Sequence, residues 1–137
     1  MKVVLDTNVV VSGLLHSEGN PGQILALALS GAFQVFHDER ILAEYREVLA
    51  RPRLKLNAER VKEVLAKLEQ DGVSINAGTE TWSLPDADDE PFLAVSFTAE
   101  ADHLVTGSIR DYPTDRRKGC SVVTPAEFMA IWKRTAT

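Results

Sequence analysis

Four acids in this chain stand where their patterns let them act together. Asp6 directly follows the apolar run Val3-Val4-Leu5, and Glu44 lies inside a helical pattern. Asp89 falls in the first turn of another helical pattern, and Asp111 follows His103-Leu104-Val105-Thr106 in the loop Ser108-Ile109-Arg110-Asp111. In an open parallel sheet, ligands gather outside the carboxyl ends of the strands, and these patterns deliver their carboxylates to that edge. Such a cluster needs a cation, because two like charges ~4 Å apart repel by about 4 kcal/mol at an effective dielectric of about 20. Left unpaired, the carboxylates would raise one another's pKa values. Ligation by oxygen alone, with no His or Cys offered by these motifs, favours Mg²⁺ or Mn²⁺ over Zn²⁺. Magnesium held through carboxylates keeps waters, one of which can be activated as a nucleophile while the metal stabilises a phosphoryl transition state. The spacing is compatible with one ion or two.

The elements that must position these acids alternate between strand and helix. Val3-Val4-Leu5, continued after Asp6 by Val9-Val10-Val11, reads as a strand buried on both faces that gives way to a loop or helix. Pro21-Gly22 opens a helical segment through Ile24, Leu25, Leu27, Ala28 and Leu29 that Gly31 stops, and Phe33-Gln34-Val35-Phe36 alternates as a second strand. Asp38 is placed to cap a helix whose apolar positions Ile41, Leu42, Tyr45, Val48 and Leu49 keep the helical period until Arg51-Pro52. A further helix runs from about Asn57 to Gln70 and ends at Gly72, followed by a short strand at Val73-Ser74-Ile75. Asp88-Asp89-Glu90-Pro91 opens a helix carrying Phe92, Leu93 and Val95, with proline where no backbone donor is needed. Strands at His103–Thr106 and Ser121–Val123 and a terminal helix from Thr124-Pro125 complete the order. Such alternation predicts an α/β fold: a mostly parallel central sheet covered by helices on both faces, forming a three-layer α/β/α sandwich.

Composition sets outer bounds. A chain of 137 residues with 45% hydrophobic and 26% charged residues predicts one globular domain, 1–137, with a folded core. The lone Cys120 excludes an internal disulfide and a Cys-rich zinc site. No apolar run approaches the ~20 residues of a membrane span, and the first acid comes too early for a signal peptide, so the expectation is a soluble cytoplasmic protein with no membrane partner. A net charge of −5 argues against a protein held on nucleic acid by a broad positive surface, but leaves catalysis on RNA or DNA open.

Helical phase sorts the acids. At about 100° per residue, Glu44 lies roughly 40° from Val48 and roughly 60° from Ile41, on the margin of the buried face, while Glu47 falls on the far side. Asp89 falls between Phe92 and Leu93 and points inward; Asp88 points away, as a helix cap or a group supporting the ligands. Each acid also has a plainer reading: a turn for Asp6, a solvated flank for Glu44, the helix dipole for Asp89, a pair with Arg110 for Asp111. Arg110, Arg116, Arg117 and Lys118 form a basic run beside the acidic edge, suited to RNA phosphate contacts or to a solvated loop. His16, His37 and His103 lack metal-ligand spacing and read as structural or exposed, and Trp82, Phe128 and Trp132 as packing or subunit-interface residues.

Five stretches in order resemble the PIN-domain nucleases, and within them the VapC-like toxin components of toxin-antitoxin systems. They are Val4-Leu5-Asp6-Thr7-Asn8-Val9, the helix Ile41–Leu49 with Arg51-Pro52, Pro85–Leu93, Leu104–Pro113 and Val123–Phe128, spread over about residues 2 to 132. The resemblance implies an α/β/α sandwich and Mg²⁺- or Mn²⁺-dependent cleavage of RNA, with Asp6, Glu44, Asp89 and Asp111 as the catalytic acids. It implies Asp6, Asp89 and Asp111 as metal ligands, Glu44 as ligand or water-orienting base, and Asn8 in support of Asp6. An antitoxin protein and a second copy of the chain are the implied partners. Family members often carry Asp or Asn directly after the Thr-Gly pair, where this chain has Ser108; the departure bears on a second ion more than on the first. Ser108 can still hydrogen-bond a metal-bound water or a phosphate.

Other classes fit less well. A phosphoacceptor receiver domain wants paired acids after the first strand and a lysine near the last, whereas Asp6 stands alone and Gly119–Pro125 has no lysine. A haloacid-dehalogenase-like phosphatase wants a second Asp two residues after the first, where this chain has Asn8. A catalytically silent PIN-fold RNA-binding module is the remaining alternative, with Ser108 as its one positive sign.

Overall fold

A computed structural model describes residues 1–135. Its centre is the strand β1 (Lys2–Leu5), in which Val3, Val4 and Leu5 are wholly buried. Helices α1 (Thr7–Leu15) and α2 (Asn20–Ser30) lead to β2 (Gln34–His37). Then α3 (Glu39–Leu49) and α4 (Ala58–Asp71) lead to β3 (Val73–Ser74), and α5 (Glu90–Ala99) leads to β4 (His103–Val105). Two single 3-10 turns, Ile109–Asp111 and Thr114–Arg116, precede β5 (Val122–Val123) and α6 (Pro125–Thr135).

The strands form one sheet in the order β3-β2-β1-β4-β5, every neighbouring pair parallel. Parallel strands require crossover connections, and the helices that make them cover both faces, giving the expected α/β/α sandwich. On one face α5 lies on β1, β2 and β4; α2 packs against α6, which reaches β4. Phe33 meets the rings of Phe128 and Trp132 edge-on, with centroids 5.4 and 5.8 Å apart, so these aromatics are packing residues. His37 is fully buried, with Nε2 3.0 Å from the Leu68 carbonyl, and burial lowers its pKa: a structural histidine, as its sequence context predicted.

Local signals place most boundaries. Asp38 accepts the Ile41 N–H at 2.9 Å and caps α3, and Asn57 accepts the Arg60 N–H at 3.0 Å and caps α4. Gly31, at φ 80°, takes the left-handed conformation that closes α2. One expectation is corrected: Val9-Val10-Val11 does not extend the first strand but lies in α1. Asp6 keeps an extended backbone (φ −64°, ψ 150°) and the helix begins at the next residue. Val9 and Val10 are buried there, so packing of α1 outweighs the β preference of a valine run.

Candidate metal centre at the carboxyl edge of the sheet

Asp6 is fixed twice. Its N–H donates to the Val105 carbonyl at 2.9 Å, which ties the end of β1 to the end of β4. An acid immediately before a helix usually turns back to cap it, yet this side chain makes no capping hydrogen bond. Its Oδ2 instead accepts the Thr106 hydroxyl at 2.8 Å and the Tyr112 hydroxyl at 3.0 Å. Burial pushes the Asp6 carboxyl up, against those two hydrogen bonds, and repulsion from Asp111 adds to the rise.

Asn8 supports this corner from α1. Its Oδ1 accepts the Gly107 N–H at 2.9 Å and its Nδ2 donates to Ser108 Oγ at 3.2 Å. The Ser108 N–H donates to Thr106 Oγ1 at 3.0 Å, so Asn8, Thr106 and Ser108 lock the loop after β4 against the start of α1.

Glu44 reaches the same edge from α3, half-buried as its helical phase predicted, and accepts the Thr7 hydroxyl at Oε2. Burial raises its pKa above the ordinary carboxylate value, and Asp6, Asp88 and Asp86 add repulsion. Glu47 faces out and pairs with Arg51 at 2.8 Å.

Asp89 ends a 3-10 turn, Ala87–Asp89, that runs directly into α5. It is 9% exposed, and its Oδ2 is buried without a hydrogen-bond partner. Burial, then repulsion from Asp6, Asp86, Asp111 and Glu44, pushes its pKa up to about 8. The acid that caps this turn is Asp86, whose Oδ1 accepts the Asp88 N–H at 2.9 Å; Asp88 does not cap, but lines the cleft with Asp86 and Asp89.

These side chains share an open cleft of about 380 Å³ whose walls include Asp6, Glu44, Asp86, Asp88 and Asp89, with Asn8 at its side. Asp111, half-buried on its own turn, stands behind them: it raises Asp6 and Asp89 electrostatically but does not line the cleft. A roomier groove of about 610 Å³, between α3 and α4, holds none of these acids and is lined by Leu49, Leu56, Val61 and Leu65. The converging carboxylates lie in the smaller cleft.

Among the described residues no three such side chains close into a ready-made coordination shell. The donor set still fits a hard divalent cation. The cleft lining offers oxygen donors and no His or Cys, one carboxylate oxygen is buried and unpartnered among the described residues, and burial together with repulsion from the other acids raises Asp89 to about 8, a cost that a cation would reduce.

The PIN domain family profile matches residues 2–110. The chain belongs to the PIN-domain family. This PIN domain is 31% identical over 145 aligned positions to an uncharacterized protein of Methanocaldococcus jannaschii, covering 98% of this chain and 93% of that one. Its fold is similar to that of a chain in the VapBC2 complex of Rickettsia felis bound to a DNA fragment from their promoter. There the TM-score is 0.62 at 15% identity, covering 90% of this chain and 98% of that one. A chain of FitAB bound to an IR36 DNA fragment gives a TM-score of 0.53 at 19% identity, with 90% and 94% covered.

The basic run of this PIN domain is spread out and partly engaged. Arg110 is exposed beside Asp111, and Arg116 sits 3.8 Å from Asp115. Arg117 donates to the Tyr112 carbonyl at 2.8 Å, and the Lys118 ammonium stands 4.6 Å above the Trp82 ring. None of the four lines the acidic cleft. Residues that sequence reasoning passed over do shape it: Thr106 and Tyr112 hold Asp6, Asp86 caps the turn, and Arg51 and Arg53 line the cleft. Thr106 and Arg51 lay inside the recognised motifs, but nothing in their spacing told a hydrogen bond to Asp6 or a cleft position from a strand end or a helix stop.

Proposed function

We propose that this PIN domain is a Mg²⁺- or Mn²⁺-dependent endoribonuclease that hydrolyses RNA phosphodiester bonds and serves as the toxin of a toxin-antitoxin pair. The observation that carries the reading is the convergence of acids on one edge of the sheet around the unpartnered Asp89 Oδ2. Asp6 and Asp89, which line the cleft, and Asp111, from its own turn after β4, would hold the ion, and Glu44 would either join them or take the proton of the attacking water. When bound, the metal supplies charge stabilisation at the phosphorus and an acidified water. The protein's part is positional. Thr106 and Tyr112 fix Asp6 through Oδ2; Asn8 and Ser108 fix the adjoining loop; Thr7 orients Glu44.

Arg110, Arg116, Arg117 and Lys118 are proposed to contact RNA phosphates beyond the cleft. The fold shared with chains of VapBC2 and FitAB supports an antitoxin partner; we further propose that it covers the acidic edge and that a second copy of the chain is the dimer partner. We place the protein in the cytoplasm; among the described residues no helix is long and apolar enough to cross a membrane.

The test is cleavage of single-stranded RNA by purified protein in Mn²⁺, Mg²⁺ or EDTA, with end-group analysis of the products. A water nucleophile gives 5′-phosphate and 3′-hydroxyl ends in metal and no products in EDTA. Cyclic phosphate ends, or cleavage that survives EDTA, would overturn the mechanism. RNA bound but never cut would assign the silent binding module instead.

A further inference from the structure

The acidic cleft also carries cations, and they come from the 51–53 turn rather than from the basic run at 110–118. Pro52 cannot continue α3, and the chain turns through Pro52–Leu54, closed by Lys55 in the left-handed conformation at φ 52°. This places Arg51 and Arg53 in the cleft that also holds Glu44, Asp86, Asp88 and Asp89. Arg51 is held in a fixed orientation by Glu47, through Nε at 3.2 Å and Nη2 at 2.8 Å, and its Nη1 is left without a partner. Arg53 is exposed and makes no ion pair or hydrogen bond with any described residue, although five carboxylates share its cleft. Two guanidinium groups that line the same cleft as those acids, with donors unspent among the described residues, match a polyanionic strand that the acids alone would repel.

We propose that Arg51 and Arg53 form a phosphate-binding subsite for single-stranded RNA, seating the phosphate next to the one at the acids. The inference rests on the ribonuclease reading and adds to it where the strand lies. The test compares Arg53→Gln and Arg51→Gln with Arg60→Gln, an equal loss of charge on exposed α4 outside the cleft. Binding of a short fluorescein-labelled single-stranded RNA is followed by anisotropy across a salt series, all variants in a common Asp89→Asn background that suppresses cutting. Arg53→Gln should weaken binding about five- to tenfold and flatten the salt slope by about 0.7, the value of one single-strand phosphate contact. With Asp89 intact it should raise KM and leave kcat within about twofold, and Arg53→Lys should restore most of the affinity. Equal effects of Arg53→Gln and Arg60→Gln would overturn the subsite while the parent still cuts RNA. A parent that neither binds nor cuts RNA would instead overturn the ribonuclease reading itself.

Discussion

The two acids at the heart of the cleft are kept in opposite states. Asp6, at the end of β1, is buried with partners: two hydroxyls on one oxygen, a backbone tie to β4, and the Asn8 lattice beside it. Asp89, at the start of α5, is buried nearly as deeply, with one oxygen orphaned and four other acids raising its pKa. Hydrogen bonds offset part of the cost of burying a carboxylate, so burial raises both pKa values, but of the two only Asp89 is left with an uncompensated oxygen. The β1–β4 corner therefore compensates its acid within the fold, and on the proposed reading the uncompensated acid on the α3–α5 side is the one a cation would relieve.

Asp89→Asn breaks that contrast most severely. If Asp89 holds the ion, cleavage of RNA should fall by about 10³-fold or more, corresponding to several kcal/mol of lost charge stabilisation. Single-turnover assays at saturating RNA check this, and a variant within tenfold of the parent would remove Asp89 from the centre. In metal-free protein the same substitution should have the opposite sign. The folded pKa of about 8 lies above the ordinary carboxylate value of 3.8, so between those values the native state binds more protons than the unfolded one and stability falls as pH rises. Urea unfolding in EDTA should show the parent losing roughly 3 kcal/mol between pH 5 and 8, and Asp89→Asn escaping most of that loss. A parent whose stability is flat over this window would mean Asp89 is solvated and already charged.

Metal should erase the contrast. A ligand at ~100 times its Kd stabilises the fold by about 2.7 kcal/mol, or roughly 8 °C in Tm for a domain of this size. Mn²⁺ titration at pH 8 should give that rise in the parent and little in Asp89→Asn. Equal rises in both would move the ion elsewhere.

The same division explains how far the sequence could be read. The succession of strands and helices along the chain followed from apolar runs and stops such as Gly31 and Arg51-Pro52, since each is a local signal with a local cause. Helical phase also carried enough information to put Glu44 on a margin and Asp89 inward. Val9–Val11 misled because a β-branched run in a short helix is decided by what α1 packs against. Tyr112 and Thr106 were invisible as partners of Asp6 because those hydrogen bonds join residues about a hundred positions apart. Asp86 was overlooked for a different reason: three acids in four positions offer the same capping chemistry, and the backbone path alone selects among them. The 110–118 cations look clustered in one dimension, but two turns before β5 disperse them.

Tyr112→Phe is the smallest and sharpest probe of the satisfied side. The ring is wholly buried, so phenylalanine keeps the packing and removes one of the two hydroxyls on Asp6 Oδ2. Stability in EDTA should fall by about 1 kcal/mol, the net worth of one hydrogen bond, in contrast to the gain from Asp89→Asn at pH 8. Asp6 keeps the Thr106 bond at 2.8 Å, so the carboxylate stays in place but less firmly aimed. The Mn²⁺ concentration for half-maximal Tm rise should then increase severalfold, with the plateau unchanged. If metal affinity holds while stability drops, Tyr112 serves the fold alone. If both hold, Thr106 suffices to fix Asp6, and the scaffold side is more redundant than its hydrogen bonds imply.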